Sequence, residues 1–339
     1  MSTLLVWKEQ LQLFYGKYAS YVDKVLKFIL GLFVFGLINS NIGFMKSASS
    51  MVVTLGLSLI CAFLPPVVMT FLASALILLH FYSLSLPVVI VTAMILLLMY
   101  IFYFRFTPKK AWLILVTVVA FALKIPYAVP IAFGLFGTAI YVIPVACGTM
   151  IYYMLHYVKT SSAALKSSGA DGLIDSLMSY AKQVFQNKEM LVMMLALTIC
   201  LLLVYNIRTR SADHAWKIAI VSGIVANIVM VIAGDIMLGV RSAYVSLVVG
   251  SLISALIGFC LEFFIFSVDY SRTQRIQFED DEYYYYVKAV PKIAVSVPEK
   301  TVKRINERHE ELSASERRTD EELLKQSLHK ELGIQHNHK

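Results

Sequence analysis

Apolar residues run along this chain in long blocks, separated by short polar or proline-bearing breaks. Val25 to Met45 forms the first block. Shorter tracts follow at 51–64, 67–86, 87–104, 111–125, 127–143 and 144–158, and then Met190–Ile207, Trp216–Leu238 and Ala243–Phe266. Unbroken apolar runs of this kind predict α-helix, and crossing a bilayer core takes about 20 helical residues. The last three tracts reach that length, whereas several between 51 and 158 do not. The breaks among these are Pro65-Pro66, Pro87, RFTPKK at 105–110, KIPYAVP at 124–130 and Pro144. The short pieces are therefore tilted or thin spans, or half-helices that meet inside the protein, where broken backbone is sheltered from lipid. The pattern predicts an all-α, polytopic transmembrane helix bundle of about ten spans, some broken by proline.

The proline breaks recur. CAFLPPVV (Cys61–Val68) precedes SLPVV (Ser85–Val89), and FALKIPYAVP (Phe121–Pro130) precedes VIPVA (Val142–Ala146). Read as a repeat, each half holds three tracts. If all three cross, the halves are inverted relative to each other, the plan by which transporters build a site at a repeat interface. In the last tract Gly250, Ser254 and Gly258 form a small-residue ridge that lets another helix approach closely.

The polar segments divide the rest of the chain. Residues 1–23 mix Trp7, Leu11 and Phe14 with Lys8, Glu9 and Lys17, the pattern of an interfacial helix ahead of an uncleaved first span. Residues 24–158 form the proline-broken bundle. Residues 159–188 are a polar connection whose Leu173, Ile174, Leu177, Met178, Ala181, Val184 and Phe185 recur at helical spacing, so an amphipathic helix lies in the interface or packs under the bundle. Residues 189–267 form a three-span bundle, and 268–339 a charged, partly helical tail. Within the tail EDDEYYYY (279–286) leads into a β-prone stretch. Pro298 suits a first helical turn, and Ser313 with Glu316 and Thr319 with Glu322 match capping-box spacing. Three spans between the 159–188 connection and the tail put these two segments on opposite sides of the membrane.

Composition sharpens this picture. The chain is 58% hydrophobic and 15% charged, and 51–104 holds no Asp, Glu, Lys or Arg. Ionised groups cost a few kcal/mol each in a bilayer core, which explains their segregation. The net charge of +8 collects beside apolar segments, at Lys24, Lys27, Arg105, Lys109, Lys110, Arg208 and Arg210, where lipid phosphates account for it without nucleic acid. Placing the tail inside gathers most loop arginines on the cytoplasmic side and leaves Arg241 outside. The expected location is thus the cell (plasma) membrane, with both termini cytoplasmic. Cys61, Cys147, Cys200 and Cys260 all sit in apolar tracts without metal-ligand spacing, so no metal, cofactor or disulfide framework is implied.

An ionisable group inside a span is a functional candidate, because its burial has to be compensated. The candidates are Asp235, Glu262, Lys124 and His80, with Asn227 as a mid-span amide. Each also has a structural reading: Asp235 pairs with Arg241, Glu262 reaches the headgroups and Lys124 snorkels from a loop. His80 is then an interfacial histidine and Asn227 bonds a neighbouring helix. No Walker loop, His-Glu-x-x-His or Ser/His/Asp grouping is present, so an enzyme is not expected.

The stretches KIPYAVPIAFGLFGT (124–138), VIPVACGTMIYY (142–153) and FEDDEYYYYVKAVPK (278–292) resemble a family of uncharacterised multi-pass membrane proteins of Gram-positive anaerobes. Some members are labelled permease components of ABC transporters. The resemblance implies a transport component whose ATPase is a separate chain. The sequence alone thus supports two readings: a permease-like component, or a non-transporting membrane scaffold or envelope-assembly protein. In either, 271–339 meets a cytoplasmic ATPase or another protein partner.

Overall fold

The structure, a computed structural model, describes residues 2–107, 110–167, 173–210, 212–240, 243–265, 274–290, 321–325 and 327. The chain divides into two compact units, Met1–Ile293 and Ala294–Lys339. In the second, 321–325 is helical, while Pro298, Ser313, Glu316 and Thr319 lie outside the described residues.

Each apolar tract read from the sequence carries a helix. In chain order these are α1 (Ser2–Ile42), α2 (Met51–Phe63), α3 (Pro66–Tyr82), α4 (Leu86–Phe106), α5 (Trp112–Ala122), α6 (Ala128–Phe136) and α7 (Val142–Thr160). The short α8 (Ser162–Ser167) and the amphipathic α9 (Leu173–Phe185) follow, then α10 (Lys188–Arg208), α11 (Ala215–Leu238) and α12 (Tyr244–Ile265). Among the described residues six stretches are long and apolar enough to cross a membrane: Trp7–Ile42, Leu86–Tyr103, Ala139–Thr160, Ile174–Arg208, Ala215–Leu238 and Tyr244–Ile265. The others are shorter: α2 has 13 residues, α3 17, α5 11 and α6 9. At 1.5 Å per residue α5 and α6 extend only about 16 and 14 Å, half of a hydrocarbon core of about 30 Å.

The chain boundaries follow helix physics more than polarity. The segment 1–23 and the first span are one helix, bent at Tyr18 (φ −118°, ψ 21°), because Glu, Gln and Lys continue a helix as readily as Leu. Pro66 and Pro87 stand in the first turns of α3 and α4, and Pro144 is the third residue of α7. At these positions a missing N–H costs nothing, so the prolines begin helices rather than interrupt them. Amphipathic α9 packs on the bundle through Tyr180 and Val184, with the Tyr180 hydroxyl 3.2 Å from Thr92 Oγ1 of α4, while Ile174 and Met178 face outward.

Side-chain bonds between helix ends mark the two faces of the bundle. On one, here the tail face, Lys8 Nζ donates to Phe263 O at the end of α12 (2.8 Å). Arg208 donates to Gly137 O (3.0 Å) and lies over the Trp216 ring. On the opposite, far face, Lys159 Nζ donates to Asn41 Oδ1 (2.7 Å), joining the ends of α7 and α1. Lys188 Nζ donates there to Leu238 O (3.1 Å), joining the start of α10 to the end of α11. The helix directions follow. The set α2–α3–α4 begins at the far face and ends at the tail face; α5–α6–α7 begins at the tail face and ends at the far face. Each set is a helical hairpin with proline at or beside its turn, followed by one long helix, and the two sets run in opposite senses.

Among the described residues three apolar clusters fill the bundle, the smallest being Ile131 and Leu135 of α6 with Cys200, Val204, Trp216 and Ile220, and two are larger. One gathers α1, α3, α4, α7 and α9 around Phe35, Phe81, Met69 and Met154. The other gathers α5, α6, α7, α10 and α11 around Leu113, Phe133, Leu197 and Val231. The small-residue ridge of α12 lets α6 and α11 approach. A Cβ on Gly258 would sit 3.1 Å from both Ile131 and Ile220, and one on Gly250 would sit 3.0 Å from the Tyr127 ring.

Beyond α12 the tail contributes an antiparallel hairpin, β1 (Gln274–Glu279) with β2 (Tyr284–Ala289), with Phe278 opposite Tyr285 and Glu279 opposite Tyr284. This is the one departure from an all-α chain among the described residues. Asp280 makes the turn: Oδ1 accepts from the backbone N–H groups of Glu282 (2.9 Å) and Tyr283 (2.7 Å), and Oδ2 from the Tyr285 hydroxyl (2.8 Å). Those bonds hold the Asp280 carboxyl below the usual carboxylate range, the Glu282 N–H contributing most. Lys288 ties the hairpin to Asp213 in the α10–α11 turn and lowers the Asp213 carboxyl likewise.

Candidate functional site: a vestibule at the tip of the α5–α6 hairpin

The turn between α5 and α6 is built as a helix C-terminus. Ile125 N–H donates to Ala120 O (2.9 Å) and Lys124 N–H to Phe121 O (3.0 Å), the paired bonds of a Schellman ending. That ending needs one left-handed residue, ordinarily glycine, as at Gly239 after α11 (φ +66°). After α5 the residue is Lys124, at φ 61°. Left-handed backbone costs a side-chain-bearing residue about 1–2 kcal/mol, so the surroundings hold Lys124 where its own preference would not.

Beside this tip lies a cavity of about 250 Å3. From α1 it is lined by Val34, Leu37, Ile38 and Asn41, spaced i, i+3, i+4 and i+7 so that they share one helix face. From α7 the same spacing brings in Tyr152, Leu155, His156 and Lys159. Val118, Val119 and Ala122 of α5 close the third side and Lys124 stands over it. The mouth is at the far face, where Lys159 and Asn41 bond. Seven residues down each helix, about 10 Å, lies an apolar floor. One wall is a run of stacked rings: Phe121 on Tyr152 (4.8 Å between centroids) and Tyr152 on His156 (6.0 Å). The result is a chamber with a dry floor and a cationic rim, let into the bundle beside a helix break.

The other sequence candidates fall elsewhere. Asp235 is 2% exposed on the buried face of α11 and acts electrostatically on Tyr127 of the same tip and on Tyr153 of α7. Its expected partner, Arg241, lies outside the described residues. Asn227, two turns along the same face, is fully buried; its side chain lies within interaction reach of Cys200 of α10, and among the described residues neither amide atom has an N or O hydrogen-bond partner. The Gly258–Ile220 contact sets the register of antiparallel α12 and α11. Seven residues from each, Ser251 and Asn227 come to one level, and the Ser251 hydroxyl is likewise buried without a partner. Glu262 lies near the tail-face end of α12, within electrostatic reach of Lys217 and His214.

His80 is fully buried and structural. Met45 N–H donates to its Nδ1 (3.2 Å), so Nε2 carries the proton and donates to Asn39 Oδ1 (2.9 Å). Asn39 in turn donates to Thr54 Oγ1 (2.8 Å), so the network staples the 43–50 loop over the end of α3. It is a buried staple at the far-face end of α3.

Of the sequence candidates, Lys124 alone lines this cavity. Asn41, His156 and Lys159 were missed. Their signal was present on α7, where Tyr152, His156 and Lys159 recur at i, i+4 and i+7 along one face, and on α1, where Asn41 ends an apolar tract, but nothing in the sequence joins α1 to α7. Among the described residues no group of His, Cys, Asp and Glu is placed to hold a metal. Comparison with protein-family models, curated proteins and solved structures returns no match.

Proposed function

We propose that this chain is a membrane-embedded, permease-like transport component of the cell membrane, and that its solute enters from the far face through the vestibule at the α5–α6 tip. The observation that carries the reading is a helical hairpin too short to cross a bilayer, ending in a strained turn beside a polar-rimmed cavity. Transporters use broken helices in this way to bring polar groups to membrane depth. Two three-helix sets running in opposite senses add support, because alternating access rocks one such set against the other.

In this reading the ten apolar helices comprise six full crossings and the four short helices of the two hairpins. The tail face is cytoplasmic, since Arg105, Arg208, Arg210 and Arg275 all belong to it. A separate ATPase would meet that face.

A transporter must open the same chamber to the other side during its cycle. Cysteines at Val34 and Val118, on the chamber floor in a background without the four native cysteines, are expected to react with an impermeant thiol reagent from the far face. In a fraction of molecules they are expected to react from the tail face too. Reaction from the far face alone, under every condition tried, would sink the proposal.

The scaffold reading keeps one specific observation in its favour. The β1–β2 hairpin exposes Tyr283, Tyr284 and Tyr286 at 62–78% while anchored to the bundle through Lys288. Deleting 271–339 would then abolish partner co-purification and leave membrane insertion intact.

A further inference from the structure

The vestibule is charged in one sense only. Lys124 and Lys159 stand at its rim with His156, and no carboxylate is among the residues that line it. Lys159 bonds the neutral amide oxygen of Asn41, and among the described residues neither lysine has an acidic partner. Two ammonium groups at the mouth of a half-enclosed chamber repel each other, and low-dielectric walls focus their field into it. Lys124 is moreover held there in a backbone conformation that disfavours it. The arrival of an anion between the two ammonium groups relieves their repulsion, while the fixed backbone of the turn keeps Lys124 at the rim to meet it.

Resting on the transport reading above, we propose that the vestibule binds an oxyanion, a phosphate or carboxylate group. The charged head sits between Lys124 and Lys159, and any apolar remainder lies on the floor of Val34, Val118 and Tyr152. The Asn41 amide accepts from Lys159 through its oxygen and donates one N–H to Leu37 O (2.9 Å), which leaves its second N–H for the same head. A volume of about 250 Å3 admits a small organic anion or inorganic phosphate, or the head of an anionic lipid reaching in from the far leaflet.

The test uses the full chain purified in a detergent without phosphate. Thermal unfolding is followed against inorganic phosphate, with potassium chloride at matched ionic strength, and separately in nanodiscs with and without phosphatidylglycerol. Phosphate is expected to raise the melting temperature saturably, with apparent affinity weakened at least tenfold in Lys124→Gln and in Lys159→Gln. Lys124→Arg should retain it, and Lys46→Gln, in the far-face loop outside the cavity, should leave it unchanged. Lys124→Gly guards against misfolding, because it relieves the strained turn while removing the charge; it should fold and still lose phosphate.

A response to phosphatidylglycerol alone, lost in the same variants, keeps the oxyanion site but assigns it to lipid and removes the solute pathway. No response to either probe, or one that Lys46→Gln weakens as much as Lys124→Gln, overturns the site. Tail-face labelling of the chamber floor would in that case still uphold transport of a different solute.

Discussion

The two helical hairpins, α2–α3 and α5–α6, begin from the same plan and end in different places. In α2 only Ser58, Cys61 and Ala62 are buried, and Met51, Val52, Leu59 and Phe63 look outward, as lipid-facing residues do. In α6 every residue from Ala128 to Leu135 except Ala132 is buried. Length explains the contrast. Each helix end leaves four backbone groups without intrahelical partners, and the turn between the short α5 and α6 satisfies part of them with its Schellman bonds. Leu123 and Lys124 of that turn stay exposed, while Pro126, Tyr127 and α6 behind them pack among neighbouring helices, away from lipid. The longer α3 carries its end out to the far face beside Asn39 and His80, and its hairpin can stay at the periphery. Irregular backbone backed by protein is also where a chamber and a strained lysine can be maintained.

The largest expected effect tests the two-faced frame on which this contrast stands. Single cysteines at Ser179 in α9 and Tyr286 in the tail hairpin, without the native four, are expected to label from opposite sides of sealed vesicles. Labelling of both from one side would break the antiparallel arrangement of α10, α11 and α12.

Packing separates the hairpins next. A side chain at Gly134 of α6 would meet Val204 at 2.7 Å and Leu201 O at 3.2 Å, whereas Gly56 of α2 has nothing within 4 Å. Gly134→Leu is expected to destabilise the protein by about 1–3 kcal/mol through overpacking, read as a lower melting temperature and reduced monodisperse yield. Gly56→Leu should be neutral, and equal effects would erase the distinction.

Smaller again is the turn itself. Lys124→Gly is expected to stabilise by about 1 kcal/mol, since glycine takes the left-handed conformation freely, and no substitution at the α2–α3 turn has a counterpart effect. Asn227→Leu is expected to be neutral or to stabilise by up to about 1 kcal/mol, because its amide has no N or O partner among the described residues and only the weak Cys200 thiol beside it. A clear loss of stability would mean that Asn227 holds a partner.

The smallest effect lies outside the membrane. Asp213 and Asp280 have carboxyl groups lowered on folding by Lys288 and by the Glu282 N–H respectively. Their contribution to the tail hairpin is therefore complete above the unfolded carboxylate value of about 3.9 and is lost as pH falls through the lower folded values. Amide protection factors across 274–289, taken relative to the intrinsic base-catalysed exchange rate at each pH, should be flat from pH 6 to 8 and fall only in acid. Asp213→Asn should loosen the Lys288 anchor at neutral pH and leave the Asp280 turn intact.

How much was legible beforehand can be judged from particular residues. The apolar tracts became helices where the sequence placed them, and Pro66, Pro87 and Pro144 marked helix beginnings, because both features are local properties of the chain. The Gly250, Ser254 and Gly258 ridge was read as a docking strip and carries α6 and α11. The polarity change near Asp23 has a counterpart in the kink of α1 at Tyr18, which divides it into two helical parts. Lys124 looked like a snorkelling loop lysine, and nothing local hinted that it completes a Schellman ending in place of glycine.

By itself, then, the sequence determined a membrane protein of many apolar helices, because hydropathy over about 20 residues is a sum that needs no neighbours. Which polar residues would share a chamber was decided only by the tertiary structure. Asn41 and Lys159 are far apart in the chain, and each on its own face is an ordinary polar residue at a helix end. They become a site only once α1, α5 and α7 converge. Convergence depends on the fit of whole helix faces, such as Gly148 against Thr117, and not on any property of a single segment.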